Sequence, residues 1–188
     1  MQIDSLDSAD LCFSSNRLRY CTLLPSQVTR EYVDWLNDDE VNKYLESRFA
    51  RHTVDEVREF VERAYRNPAE VLIGVYLKKD GEHIGNVKLG RIDYNHHVGI
   101  IGLLIGSKVA WRKGYGTEII STISRYAFDT IGLRKLEAGA YWSNVGSLMA
   151  FKKVGYHLEG IKRGSALLDG KSEDILSLGL LSYELLDG

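Results

Sequence analysis

Arg112, Lys113, Gly114 and Gly116 carry the chemistry that is easiest to name in this sequence. Two cations beside two glycines favour an anion: the cations supply charge, and the missing Cβ atoms let a phosphate oxygen reach backbone N–H groups. They sit in the run Ile100–Glu118, I-I-G-L-L-I-G-S-K-V-A-W-R-K-G-Y-G-T-E. Its aliphatic, β-branched first half has strand length, and its basic, glycine-punctuated second half opens an amphipathic helix. A strand ending where a fresh helix N-terminus begins brings main-chain donors to one point, here the amides of residues 114–118. That is the shape of a diphosphate cradle.

Two familiar phosphate loops do not fit. A P-loop requires Ser or Thr after its lysine, whereas Lys113 is followed by Gly114. A dinucleotide fingerprint requires a third glycine where this chain has Ile119. The plain alternative is that the glycines only turn the chain into the helix. A second candidate pair, Asn144 and Ser147, is three residues apart and shares the first-turn face of a helix, where Asn144 is also a natural N-cap.

The elements that must position these residues follow from periodicity. Leu18–Leu24 reads as a strand ended by Pro25, Ser26–Asn37 as a helix capped by Ser26, and Asp39–Leu45 as a short helical piece. Thr53-x-x-Glu56 is a capping box for a helix that ends before Pro68. Strands Val71–Lys79 and His83–Ile92 flank Asp80-Gly81, a hairpin signal, and His97–Gly106 is the fourth strand after a turn at Asp93–His96. Gly116–Phe128 is the helix fed by the cradle, Lys135–Tyr141 the fifth strand, and Asn144–Val154 a helix stopped by Gly155. Two strands, 156–168 and 173–183, close the chain around Asp169-Gly170. Hairpins mixed with strand–helix–strand crossovers imply an α/β (α+β) fold with a mixed sheet of seven strands.

At 188 residues, 44% hydrophobic and 27% charged, the chain fits one globular domain over 17–188, with a loosely attached polar segment over 1–16. A net charge of −2 gives no broad pull toward nucleic acid or anionic lipid. The acidic opening lacks a basic, apolar leader, and the apolar run Val98–Ile105 is too short to span a bilayer. Cys12 and Cys21 have no metal-ligand spacing to any histidine and read as free thiols in a reducing compartment, so a cytoplasmic protein without a metal is expected.

Trp111–Glu118, W-R-K-G-Y-G-T-E, resembles the acetyl-CoA pyrophosphate loop of the GNAT N-acetyltransferases, in the form found in the ribosomal-protein-alanine acetyltransferase-like branch. Asn144–Tyr156, N-V-G-S-L-M-A-F-K-K-V-G-Y, is similar to that branch's Asn-x-x-Ser…Lys-x-Gly-Phe segment, and the resemblance covers roughly residues 17–184. It implies the GNAT fold, a mostly antiparallel sheet splayed between its fourth and fifth strands, with the pantetheine arm of acetyl-CoA lying in the gap. It implies coenzyme contacts from Trp111, Arg112, Lys113, Gly114, Tyr115, Gly116, Thr117 and Lys152. Oxyanion support would come from a backbone N–H at Leu103, Leu104 or Ile105.

In the same family Asn144 would hold the pantetheine or an active-site water, and Ser147 the coenzyme sulfur. Phe151 stands where many relatives have a tyrosine acid, and Ile100 where the branch often has a glutamate base. His96 then becomes the candidate base, its ordinary pKa suiting proton relay near neutrality, with His97, His83, Asp93 and Glu82 as competitors. Asn37, Tyr44, Arg48, Asn86 and Lys88 are the acceptor-site candidates. The acceptor class implied is a primary amine: an amino-sugar nucleotide ahead of a protein N-terminus. A coenzyme-A-binding domain without transferase activity is the rival, and a homodimer is implied by analogy.

Overall fold

Val71–Leu77 reads V-L-I-G-V-Y-L, and all but Tyr76 are buried, so this strand is covered on both faces. It lies within a single sheet of eight strands in a computed structural model that describes residues 11–186. In chain order the elements are β1 (Cys12–Ser14), β2 (Leu18–Thr22), α1 (Arg30–Asn37), α2 (Val54–Arg66), β3 (Val71–Leu77), β4 (His83–Asp93) and β5 (Val98–Ile105). There follow α3 (Tyr115–Asp129), β6 (Lys135–Tyr141), α4 (Val145–Val154), β7 (His157–Leu168) and β8 (Lys171–Leu181). The spatial order is β1-β2-β3-β4-β5-β6-β8-β7. All pairs are antiparallel except β5 and β6, which α3 joins by a crossover.

Two apolar layers hold the helices to the sheet. On one face Ile119, Ile120 and Ile123 of α3 and Phe151 of α4 pack on Leu18, Tyr20, Ile73 and Val75. On the other, Tyr32, Val33, Trp35 and Leu36 of α1 meet Val57 and Val61 of α2 and Leu72 of β3. The stripes at helical spacing produce this directly, since each helix buries one side.

Three expectations are corrected. The sheet has eight strands, not seven, because Cys12–Ser14 within the segment expected to be loose pairs with β2; residues 1–10 lie outside the described residues. The first helix starts from Thr29, whose side chain accepts Tyr32 N, while Pro25–Gln27 forms a separate 3-10 turn. Asp39–Leu45 is not helical; turns run through it into a 3-10 helix at Glu46–Phe49. Elsewhere the strands and helices lie within a few residues of the sequence reading.

The cysteines are not free. Cys12 and Cys21 stand opposite each other in the β1–β2 register, with Cα atoms 4.2 Å apart, and form a disulfide. Closing so short a loop removes about 2.6 kcal/mol of unfolded-chain entropy. Replacing both with serine should lower the melting temperature by about 5–10 °C, and should abolish the response to dithiothreitol expected of the parent protein. A melt insensitive to reductant in the parent would disprove the bridge.

Candidate active site

β5 and β6 pair only over Val98–Lys135, Gly99–Leu136 and Ile100–Glu137, then separate. His97 O accepts the amides of Arg134 and Lys135, so by the alternation of a strand the odd-numbered residues of β5 direct their N–H and C=O groups toward β6. Even-numbered ones pair with β4, as Leu104 does with Asn86. Once β6 has left, the edge at Ile101, Leu103 and Ile105 is open in the middle of the sheet. Trp111 Nε1 donates to Ile105 O at 2.8 Å, which fixes the end of this edge. Gly106 follows, pressed so closely on Trp35 that a Cβ there would lie 1.9 Å from its ring.

At the mouth of the gap the chain turns into α3. Arg112 has φ 59° and Gly114 φ 80°, two left-handed residues separated by one, which curls successive N–H groups into a concavity. For arginine this conformation is costly, and such strain gathers at functional sites. Side chains cap α1, α2 and α4 through Thr29, Thr53 and Asn144, but Gly114 gives α3 no side-chain cap. The first intrahelical bond is Glu118 N to Gly114 O, so the amides of residues 115–117 have no partner within the helix. The cradle read from the sequence is therefore built of open donors at a helix N-terminus.

Gap and cradle belong to one cavity of about 1360 Å³. Leu104, Ile105, Trp111, Arg112, Gly114, Gly116 and Thr117 line it, and so do Asn144 and Ser147. Asn144 accepts Ser147 N at 3.2 Å, so it caps α4 while facing the cavity, and the structural and functional readings coexist. Lys113, Tyr115 and Lys152 lie outside the wall. On α4 it is Lys153 that lines the cavity. Helical spacing from Ser147 through Ala150 to Lys153 was the signal that would have found it.

The opposite end of the cavity lies between β4, β5 and the segment joining α1 to α2. Asn86 is buried at 4% exposure, and its Oδ1 pairs with His83 Nε2 at 3.0 Å. Its Nδ2 has no partner although it is buried in the cavity wall. Burial lowers the pKa of His83, working against its bonds to Asn86 and Gly85, so the ring is held neutral among Trp35 and Tyr76. Lys88 also lines the cavity, bound to Glu70 at 3.1 Å. Tyr141, which the sequence reading did not single out, lines it and donates to Glu46.

The remaining acceptor candidates tie the α1–α2 segment down. Asn37 exchanges two hydrogen bonds of 2.9 Å with the His52 backbone and lies outside the wall. Arg48 donates to Leu45 O and, across the chain, to Leu167 O at 2.8 Å, again outside the wall. Tyr44 lines the cavity but gives its hydroxyl to Ser143 O at 3.3 Å. His96 is displaced altogether: it sits at the closed end of β5, where its carbonyl takes Arg134 Nε. His96 lies in the turn before Val98, and at about 3.3 Å per residue Val98 is already roughly 20 Å from Leu104 along the strand, so His96 is too far away to act as the base. Among the described residues no cluster of three or more His, Cys, Asp or Glu is placed to hold a metal ion, and no helix is long and apolar enough to cross a membrane.

The mixed sheet parts at its single parallel pair, and the strand edge left open there runs toward the uncapped N-terminus of α3. The model of the acetyltransferase (GNAT) domain family matches residues 22–157, and this chain belongs to that family. It is 28% identical over 154 residues to the "Probable N-acetyltransferase YjcK" of Bacillus subtilis, covering 81% of this chain and 82% of that protein. Its fold is similar to that of a spermidine N-acetyltransferase from Vibrio cholerae solved with CoA and spermine, at TM-score 0.82 and 20% identity, covering 90% of this chain and 98% of the other. A GNAT acetyltransferase of Bacillus anthracis superposes with TM-score 0.79 at 19% identity, covering 93% and 100%. The chain is thus an acetyltransferase-family enzyme with the GNAT fold.

Proposed function

We propose that the protein transfers the acetyl group of acetyl-CoA directly to the primary amine of an oxygen-bearing small molecule, an amino sugar carried on a nucleotide. The observation that supports this most is the continuity of the open β5 edge with the uncapped α3 N-terminus in one cavity. Acetyl-CoA supplies the activated acetyl thioester. The amides of residues 115–117 meet its diphosphate with Arg112 and Lys153 nearby, and the open β5 edge pairs with the pantetheine amides. An N–H at Leu103 or Ile105 faces the gap, where it would take the oxyanion as the amine attacks. Ser147 and water are left to return a proton to the thiolate, since Phe151 has none to give.

Asn86 bears on the acceptor. It lines the acceptor end of the cavity, where a side-chain amide suits sugar hydroxyls or a peptide carbonyl better than the methylenes of a polyamine. Lys88 at the same wall suits a phosphate on the acceptor. The assembly proposed is a homodimer, a state that sedimentation checks.

Thiol release from acetyl-CoA, measured over amino-sugar nucleotides, peptides with free N-termini and polyamines, tests the reading. The expected outcome is turnover with the oxygen-bearing amines and a preference lost in Asn86→Ala, whose KM for the acceptor should rise about tenfold or more. Turnover with polyamines alone would defeat the acceptor assignment. Binding of acetyl-CoA without release over every amine would favour a domain that has lost transfer.

A further inference from the structure

The turn between β1 and β2 reaches the phosphate loop from almost a hundred residues away. Glu118, in the first turn of α3, accepts Ser15 Oγ at 2.6 Å and the Arg17 backbone N–H at 2.8 Å on one oxygen. Its other oxygen accepts Arg17 Nε at 2.6 Å. Arg17 then donates Nη1 to Lys113 O at 2.9 Å, and its guanidinium lies 4.4 Å over the Tyr115 ring. Its Nη2 is the nearest atom to the face of Gly114, 3.6 Å from where a Cβ would stand. One side chain therefore touches the residues on both sides of the left-handed Gly114 and the helix that begins there.

From this geometry we infer that Arg17 is a positioning residue for coenzyme binding: it sets the conformation of residues 113–115 and neutralises Glu118 beside the cradle. The second effect follows from burial. The Glu118 side chain is only 14% exposed, against 43% for Arg17. Burial alone would raise its pKa, but the bonds from Ser15 and Arg17 overcome this and hold it below its usual value. The carboxylate is therefore charged near neutrality, at the helix end where a diphosphate must arrive. With Arg17 in place the pair presents little net charge; without it, an unpaired anion faces an incoming anion. The paired β1–β2 hairpin, closed by Cys12 and Cys21, holds the turn that carries Arg17.

This inference rests on the acetyl-CoA reading above, and the test separates the two. Arg17→Met should raise KM for acetyl-CoA about tenfold or more, with kcat at saturating donor and KM for the acceptor unchanged. With S-acetyl-pantetheine, which carries the same thioester arm without the diphosphate, Arg17→Met and parent should react alike. Arg17→Lys, which restores the charge but not the fork of bonds, should fall between them. A parent-like KM for acetyl-CoA in Arg17→Met overturns the inference, as does an equal loss with both donors, which would mark a merely structural role. If the parent protein itself neither binds nor uses acetyl-CoA, it is the functional reading that fails.

Discussion

Gly116→Glu is expected to reduce acetyl-CoA affinity at least about a hundredfold while leaving the melting temperature of the free protein within a few degrees of the parent. Gly116 is the second residue of α3 and lines the cavity. A Cβ there would meet only Ile105 Cδ1 at 3.7 Å and Ala150 Cβ at 3.8 Å, ordinary contacts, so the fold accepts a side chain. A carboxylate near an N-terminus even suits the free helix. Against a diphosphate the sign reverses: two unit charges about 4 Å apart, at an effective dielectric near 20, repel by about 4 kcal/mol. Gly116→Ala serves as the control, adding bulk without charge, and should weaken binding by less than about tenfold. Calorimetric titration with acetyl-CoA reads both, and parent-like heat from the glutamate variant would remove the diphosphate from this helix end.

The turn that opens α3 was legible in the sequence because it is local. Arg112, Gly114, Gly116 and the amides between them are contiguous, and glycine spacing before an amphipathic helix reports backbone geometry directly. The elements were legible for the same reason, since periodicity and caps such as Thr53 with Glu56 act over a few residues. What sequence reasoning missed is long-range. The Cys12–Cys21 bridge depends on a strand of three residues, too short to show a period. Arg17 meets Lys113 and Glu118 only after the sheet forms, and no local pattern announces it. Asn37 and Arg48 have the polar character of acceptor contacts, yet their hydrogen bonds go to His52 and Leu167, which fixes the α1–α2 segment instead. His96 has the chemistry and the family position of a base, but chemistry without reach does not make one: β5 carries it away from the gap. Lys152 and Lys153 differ only in which side of α4 they occupy.

Gly102→Phe should separate the two halves of the cavity, abolishing transfer while acetyl-CoA still binds with near-parent affinity. Gly102 pairs with Lys88 on β4, so its own N–H and C=O point away from the gap and take no part in seating the donor. Its position on β5 shares a face with Leu104, which packs toward α1 and α2, and is opposite to that of Ile101, Leu103 and Ile105. A Cβ at Gly102 would meet nothing within 4 Å, and the residue lines the cavity. A phenylalanine ring there enters the acceptor space beside Asn86 and Lys88 without displacing any core side chain. Turnover should fall about a hundredfold or more with every amine that the parent uses, because an amine held off by even about 1 Å loses its line of attack on the thioester carbonyl. Gly102→Ala, which intrudes by a single methyl, should cost far less and fall mainly on KM for bulky acceptors. If the phenylalanine variant turns over normally, the acceptor does not come from the α1–α2 face, and the space beside Asn86 and Lys88 is not where the amine binds.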